Sequence, residues 1–170
     1  MSVLLSGETM CENAVDSGSA DKAADCGARE AHTRAAQRIV ISFDVDGTLE
    51  VGDPPGPITI ALIRELVAHS VIFGSSSDRT VHDQTRMWQS HGLVPHFIVT
   101  KGRLKSVKPA YPGRTLIHIG DRFADMLEAE NAGGMFIDVA SLRADRWRDF
   151  EFIMTTIGDL ADRYLDAPLA

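Results

Sequence analysis

The chain has 170 residues, of which 44% are hydrophobic and 24% are charged, and these values fit one globular domain around one hydrophobic core. The formal net charge of −7 argues against an extended nucleic-acid-binding surface, because such surfaces depend on clustered lysine and arginine. The apolar runs are shorter than the ~20 residues that cross a bilayer, so we expect no membrane span.

Residues 1–37 are rich in alanine, serine, glycine and acidic side chains, and they contain no aromatic residue. This composition predicts a disordered or loosely helical tail, followed by a domain over residues 38–170. Cys11 and Cys26 both fall in the tail without the spacing of a metal site. Cysteines of this kind are typical of the reducing cytoplasm, which is where we expect the protein.

Strand and helix patterns alternate after the tail. The predicted strands are short apolar or β-branched runs at 38–43, 71–74, 96–100, 115–119, 135–139 and 150–154. The predicted helices repeat apolar residues every three or four positions, at 58–69, 80–91, 122–132 and 157–165. Such alternation predicts an α/β fold: a doubly wound, Rossmann-like parallel sheet of five to six strands with helices on both faces.

Polar residues follow several of these strands, and the carboxyl ends of the strands are where ligands bind in such sheets. The candidates are Asp44 and Asp46 after the first strand, Ser75 and Ser76 after the second, Lys101 after the third, and Asp121 with Asp125 after the fourth. Carboxylates that converge repel one another unless a cation compensates them. Oxygen ligands favour Mg²⁺, so the pattern predicts a magnesium site suited to phosphoryl transfer.

Three segments resemble motifs of the haloacid dehalogenase-like hydrolases. The sequence FDVDGTL at 43–49 resembles the first motif, Ser75 the second, and LIHIGD at 116–121 followed by Asp125 the fourth. The resemblance extends from about residue 38 to residue 165. It implies a magnesium-dependent phosphatase that hydrolyses a phosphate monoester through an aspartyl-phosphate.

The resemblance also implies a role for each acid. Asp44 would be the nucleophile and Asp46 the general acid and base, and an acid at this second position favours phosphatase over dehalogenase chemistry. Mg²⁺ would be held by a carboxylate oxygen of Asp44, the main-chain carbonyl of Asp46, and Asp121. Asp125 would contact the ion directly or through another ligand.

Ser75 would hydrogen-bond the transferring phosphoryl group, with Ser76 as the alternative. A lysine that pairs with the nucleophile and the phosphate has three candidates, Lys101, Lys105 and Lys108, and we favour Lys101 because it directly follows a strand. Family members usually place a helix between this lysine and the fourth strand. Two prolines and a glycine in that stretch predict that the helix is absent or very short here.

Neither gap in which family members insert a cap domain is long enough to hold one here, so we expect no cap domain and an open site. The open site would bind a phosphorylated small molecule or macromolecule. A neighbouring copy of the chain in a homo-oligomer could cover the site. The alternative is a catalytically weak interaction or regulatory module on the same fold, because the shortened crossover could have removed the working lysine. A receiver-like phosphorylated domain is a third possibility, which the close spacing of Asp44 and Asp46 disfavours.

Overall fold

The structure is a computed structural model that describes the backbone of residues 19–166. The predictions for residues 1–18, which include Cys11, lie outside this range, as does the side chain of Cys26.

Five parallel strands form one sheet. They are β1 (Ile39–Phe43), β2 (Ile72–Ser77), β3 (Phe97–Thr100), β4 (Thr115–Gly120) and β5 (Met135–Asp138). Their order across the sheet is β3-β2-β1-β4-β5, so the central strand β1 pairs with β2 on one side and β4 on the other. The predicted doubly wound α/β fold is confirmed.

Helices cover both faces of the sheet. They are α1 (Ser19–Arg38), α2 (Ile60–Ala68), α3 (Val81–Ser90), α4 (Phe123–Asn131) and α5 (Phe150–Asp166). Alternate residues of β1 face opposite ways: Ile41 packs in a large core with α2, α3 and α5, and Val40 packs in a smaller core on the other face. One helix each links β1 to β2 and β2 to β3, so no cap domain is inserted.

The crossover from β3 to β4 contains two short 3₁₀ turns, Leu104–Ser106 and Lys108–Ala110, in place of an α-helix. Buried Leu104 and Val107 still cover the smaller core, which is the work that a helix would otherwise do. The prediction that this crossover lacks a full helix is confirmed.

The prediction of a sixth strand over 150–154 is wrong, because this run is the first part of helix α5. The side chain of Asp149 accepts a hydrogen bond from the Phe152 amide at 3.0 Å, as a residue that caps a helix does. Buried residues then recur at helical spacing along α5, at Phe150, Ile153, Met154, Ile157 and Ala161.

Helix α1 occupies the last part of the segment that we expected to be a tail. Ala36 is buried, and Arg38 pairs with Asp162 of α5 at 2.7 Å. The helix ends at Arg38 and β1 begins at Ile39, so no loop separates them. Within residues 19–166, no helix has the length and apolar character that crossing a membrane requires.

Candidate functional site

The site lies beyond the carboxyl ends of β1 and β4. These strands are adjacent, and the chain leaves β1 toward β2 and leaves β4 toward β5, on opposite sides. This reversal opens a crevice at the sheet edge, which is where ligands bind in doubly wound folds. The amide of Asp44 donates to the carbonyl of Ile119 at 2.9 Å and so fixes the end of β1 against β4.

Three predicted carboxylates meet in this crevice. Asp44, Asp121 and Asp125 each offer one oxygen, and these oxygens all lie within 4.8 Å of one another. Oxygen ligands lie about 2.1 Å from Mg²⁺, so ligands on opposite sides of the ion are about 4.2 Å apart. The separations therefore suit one small divalent cation. Oδ1 of Asp44 is buried and has no hydrogen-bond partner among the residues described, which leaves it available as a ligand.

Two glycines make room for this group. Gly47 has φ +77°, and a Cβ atom at this position would overlap the carboxyl group of Asp121. A Cβ atom at Gly120 would overlap the carboxyl group of Asp125. Because glycine has no Cβ atom, Gly47 and Gly120 allow the carboxyl groups of Asp121 and Asp125 to lie close to the backbone.

Lys101 supplies a positive charge in the crevice. Its Nζ lies 3.0 Å from Oδ1 of Asp125, 3.6 Å from Oδ2 of Asp44 and 3.2 Å from Oδ2 of Asp78. The side chain of Lys101 is only 12% exposed and those of Asp44 and Asp125 are buried, so the contacts with these two carboxylates form with little competition from water.

The structure does not bring the other two candidate lysines to the carboxylates. Lys105 is exposed on the first 3₁₀ turn of the crossover. Lys108 donates from Nζ to the carbonyl of Gly133, just before β5. Of the three lysines, Lys101 is the one whose position fits the predicted pairing with the nucleophile.

The charges in the crevice shift one another's pKa values. Burial raises the pKa of Asp44, the Asp125 carboxylate raises it further, and Lys101 opposes both. Burial also acts to raise the pKa of Asp125, but His118 and Lys101 outweigh it, so that this pKa lies below its ordinary value. Burial lowers the pKa of Lys101, but its carboxylate partners outweigh burial and raise it overall. The balance favours an ionised Asp125 and Lys101 and leaves Asp44 short of compensating charge.

Asp46 is held separately, by Arg79. Nε of Arg79 lies 3.0 Å from Oδ2 of Asp46, and Nη2 donates to Oδ1. The amide of Asp53 adds a hydrogen bond of 2.6 Å to the same carboxylate. Burial acts to raise the pKa of Asp46, but these donors outweigh it and lower the pKa. Sequence reasoning missed Arg79, although it follows β2 at the same edge of the sheet as the predicted site residues.

The predicted serines are engaged elsewhere. The hydroxyl of Ser75 is fully buried, donates to Gln84 at 2.7 Å and accepts from Trp88 at 3.0 Å. The hydroxyl of Ser76 donates to Glu128 at 3.0 Å on the other face of the sheet. Each of these hydroxyls therefore already donates its proton to a protein side chain.

Ser77, which sequence reasoning missed, is the serine that contacts the nucleophile candidate. Burial raises the pKa of Asp44 overall, and the interaction with the Ser77 hydroxyl acts in the opposite direction. The run of three serines at 75–77 indicated a polar end of the strand, but the sequence did not show which hydroxyl would face the carboxylates. His118 was missed as well: it is fully buried in β4, and its Nε2 lies 3.5 Å from Oδ1 of Asp125.

The arrangement combines a cluster of carboxylates that could hold a metal ion with a lysine and a separate carboxylate that could move a proton. These are the groups that phosphoryl transfer requires for positioning and for neutralising charge. Comparisons of this chain with protein-family models, curated proteins and solved structures find no match.

Proposed function

We propose that this chain is a magnesium-dependent phosphatase of the haloacid dehalogenase-like type, which hydrolyses a phosphate monoester through an aspartyl-phosphate. The observation that carries the proposal is the convergence of Asp44, Asp121 and Asp125 within 4.8 Å, with Lys101 beside two of them. Acids from two strands far apart in sequence meet at the switch point of the sheet, where the first and fourth motifs would place them.

In the first step, a carboxylate oxygen of Asp44 bonds to phosphorus as the bond to the leaving oxygen breaks. Lys101 stabilises the charge on the transferring group, and Asp46 donates a proton to the leaving oxygen. In the second step, water attacks the aspartyl-phosphate, Asp46 takes its proton, and phosphate leaves with the carboxylate of Asp44 restored. Bound Mg²⁺ would be held by Asp44, Asp121, Asp125 and the main-chain carbonyl of Asp46, and it would supply further charge neutralisation.

The ion pair with Arg79 bears on the role of Asp46. It favours the ionised carboxylate, which is the form that activates water in the second step. The first step needs the protonated form, so we infer that Asp46 leaves Arg79 before it protonates the leaving oxygen.

Phosphate release tests the proposal. We expect the protein to hydrolyse p-nitrophenyl phosphate with Mg²⁺, and we expect Asp44→Asn to release no phosphate because it lacks the nucleophile. Asp46→Asn should lose turnover and still bind Mg²⁺. Asp159→Asn, at an exposed position of α5, is the matched control and should retain activity. Phosphate release by Asp44→Asn at the wild-type rate would reject the mechanism.

The alternative, a catalytically weak interaction or regulatory module, depended on the loss of the working lysine from the shortened crossover. The contacts of Lys101 with Asp44 and Asp125 favour the phosphatase over this alternative. Trapping the acyl-phosphate separates the two: acid-quenched protein should carry phosphate on Asp44 if the chain is an enzyme.

A further inference from the structure

The crossover from β3 to β4 lacks an α-helix that could hold Lys101 in place. A lysine side chain has four rotatable bonds, and ordering it costs up to about 2 kcal/mol in conformational entropy. An unanchored loop at this position would therefore leave the ammonium group free to move into solvent. Nζ of Lys101 nevertheless lies within 3.6 Å of two buried carboxylates.

The backbone around Lys101 forms a tight turn. The amide of Arg103 donates to the carbonyl of Thr100 at 3.0 Å, with Lys101 and Gly102 as the two central residues. Gly102 has φ +84°, the conformation that glycine supplies at the third position of such a turn. The amide of Lys101 donates to the carbonyl of Ser77 at 3.0 Å, which ties the turn to the end of β2.

One side chain completes the anchoring. Oε1 of Glu128, on α4, accepts the amide of Gly102, and Oε2 accepts the hydroxyl of Ser76 at 3.0 Å. Glu128 thereby joins three elements: the turn that carries Lys101, strand β2, and the helix that also carries Asp125. It lies one helical turn after Asp125, so the same helix positions the acid and anchors the lysine that contacts it.

We propose that Glu128 is a positioning residue: by holding Gly102 and Ser76, it fixes the turn at the end of β3 so that Lys101 reaches Asp44 and Asp125. Glu128 makes no contact with the phosphate or the metal in this scheme and acts through Lys101. The consequence for catalysis rests on the proposed phosphatase function, whereas the placement of Lys101 does not.

Glutamine is the informative replacement at position 128. Its amide oxygen can still accept the Gly102 amide, and its amide nitrogen can donate to the Ser76 hydroxyl, which can act as either donor or acceptor. Alanine removes both hydrogen bonds. Glu130→Ala is the matched control, because Glu130 is an exposed acid on the same helix.

The first measurement does not depend on activity. The folded protein is treated with acetic anhydride, and acetylation of Lys101 and of exposed Lys105 is followed by peptide mass spectrometry. We expect Glu128→Ala to raise the labelling rate of Lys101 relative to Lys105 several-fold. Glu128→Gln and Glu130→Ala should give ratios close to wild type. An unchanged ratio in Glu128→Ala would overturn the proposal.

The second measurement is the rate of hydrolysis of p-nitrophenyl phosphate with Mg²⁺. Misplacement of a charge-neutralising group by about 1 Å can cost on the order of 10²-fold, so Glu128→Ala should lower kcat and kcat/KM by roughly 10- to 100-fold. Glu128→Gln should recover most of this loss. An equal loss in Glu128→Gln would show that the carboxylate charge itself matters and would overturn a role through hydrogen bonds.

The two measurements distinguish failure of this inference from failure of the proposed function. If the wild-type protein hydrolyses no phosphate but Glu128→Ala alone exposes Lys101 to acetylation, Glu128 still positions Lys101 and the phosphatase proposal fails. If hydrolysis is normal in the wild type and in Glu128→Ala, the phosphatase proposal stands and the role of Glu128 is rejected.

Discussion

Four carboxylates and two cationic side chains form one connected group at the crevice: Asp44, Asp78, Asp121, Asp125, Lys101 and Arg122. When all six groups are ionised, an excess of two negative charges remains. Such an excess is costly where the surroundings exclude water, and both Asp44 and Asp125 are buried. A divalent cation has the charge that balances the group, which supports the proposal of a divalent metal site on grounds independent of the sequence motifs.

Lys101 is the residue at which a single substitution should affect chemistry most selectively. We expect Lys101→Met to lower kcat by roughly 10²- to 10³-fold, the cost of removing one donor that faces developing charge. Lys105→Met is the control, because the structure leaves Lys105 exposed on the crossover and does not bring it to the carboxylates. Steady-state hydrolysis of an aryl phosphate measures both variants. Similar losses in the two would show that Lys101 has no special role.

The sequence predicted that Asp44, Asp121 and Asp125 would converge, and it favoured Lys101 among three lysines, because these residues follow the carboxyl ends of strands or lie one helical turn beyond them. It did not predict which serine faces Asp44, because that depends on where β2 ends. The strand continues through Ser77, beyond the predicted end at residue 74, and buries Ser75 against α3. Arg79 and Glu128 were missed because their partners, Asp46 and Gly102, are distant in the sequence.

At the scale of elements, the loop after β1 depends on Gly47 for two separable reasons, a left-handed backbone and the proximity of Asp121. Alanine at a position with positive φ costs roughly 1–2 kcal/mol, and here its Cβ would also displace the Asp121 carboxylate. We expect Gly47→Ala to lose both stability and Mg²⁺ affinity. Chemical denaturation and isothermal titration with Mg²⁺ measure the two effects.

Gly113 provides the control for this prediction. It has φ +76°, almost equal to that of Gly47, but a Cβ atom there would meet no atom within 4 Å. Gly113→Ala should therefore lose a similar amount of stability and keep wild-type Mg²⁺ affinity. If Gly47→Ala binds Mg²⁺ as tightly as Gly113→Ala does, Asp121 is not a ligand or its position does not matter.

The start of helix α5 is where the sequence pattern predicted the wrong kind of element. Its first five residues are mostly apolar and equally compatible with a buried strand, because short apolar runs do not distinguish the two. The full segment of 17 residues favours a helix, because its buried positions recur every three or four residues and pack against α1 and α2. The other predicted strands and helices are present.

At the scale of the whole molecule, a cation that binds only the folded site should stabilise the entire domain. Binding at a hundredfold excess over Kd contributes about 2.7 kcal/mol. We therefore expect Mg²⁺ to raise the Tm by several degrees, and we expect EDTA to reverse this. Asp121→Asn should lose the Mg²⁺-dependent shift and Asp159→Asn should keep it. An equal shift in both variants would place the ion elsewhere in the chain.

The site joins residues that are separated by most of the domain in sequence and become neighbours only when β1 pairs with β4. A chain segment that ends before β4 would carry Asp44 and Asp46 and lack both Asp121 and Asp125. No contiguous fragment shorter than 44–125 can therefore contain the three carboxylates. Pairing of β1 with β4 is a long-range and therefore slow kind of folding step, and it also brings these carboxylates together, so partly folded chains would lack the proposed metal site.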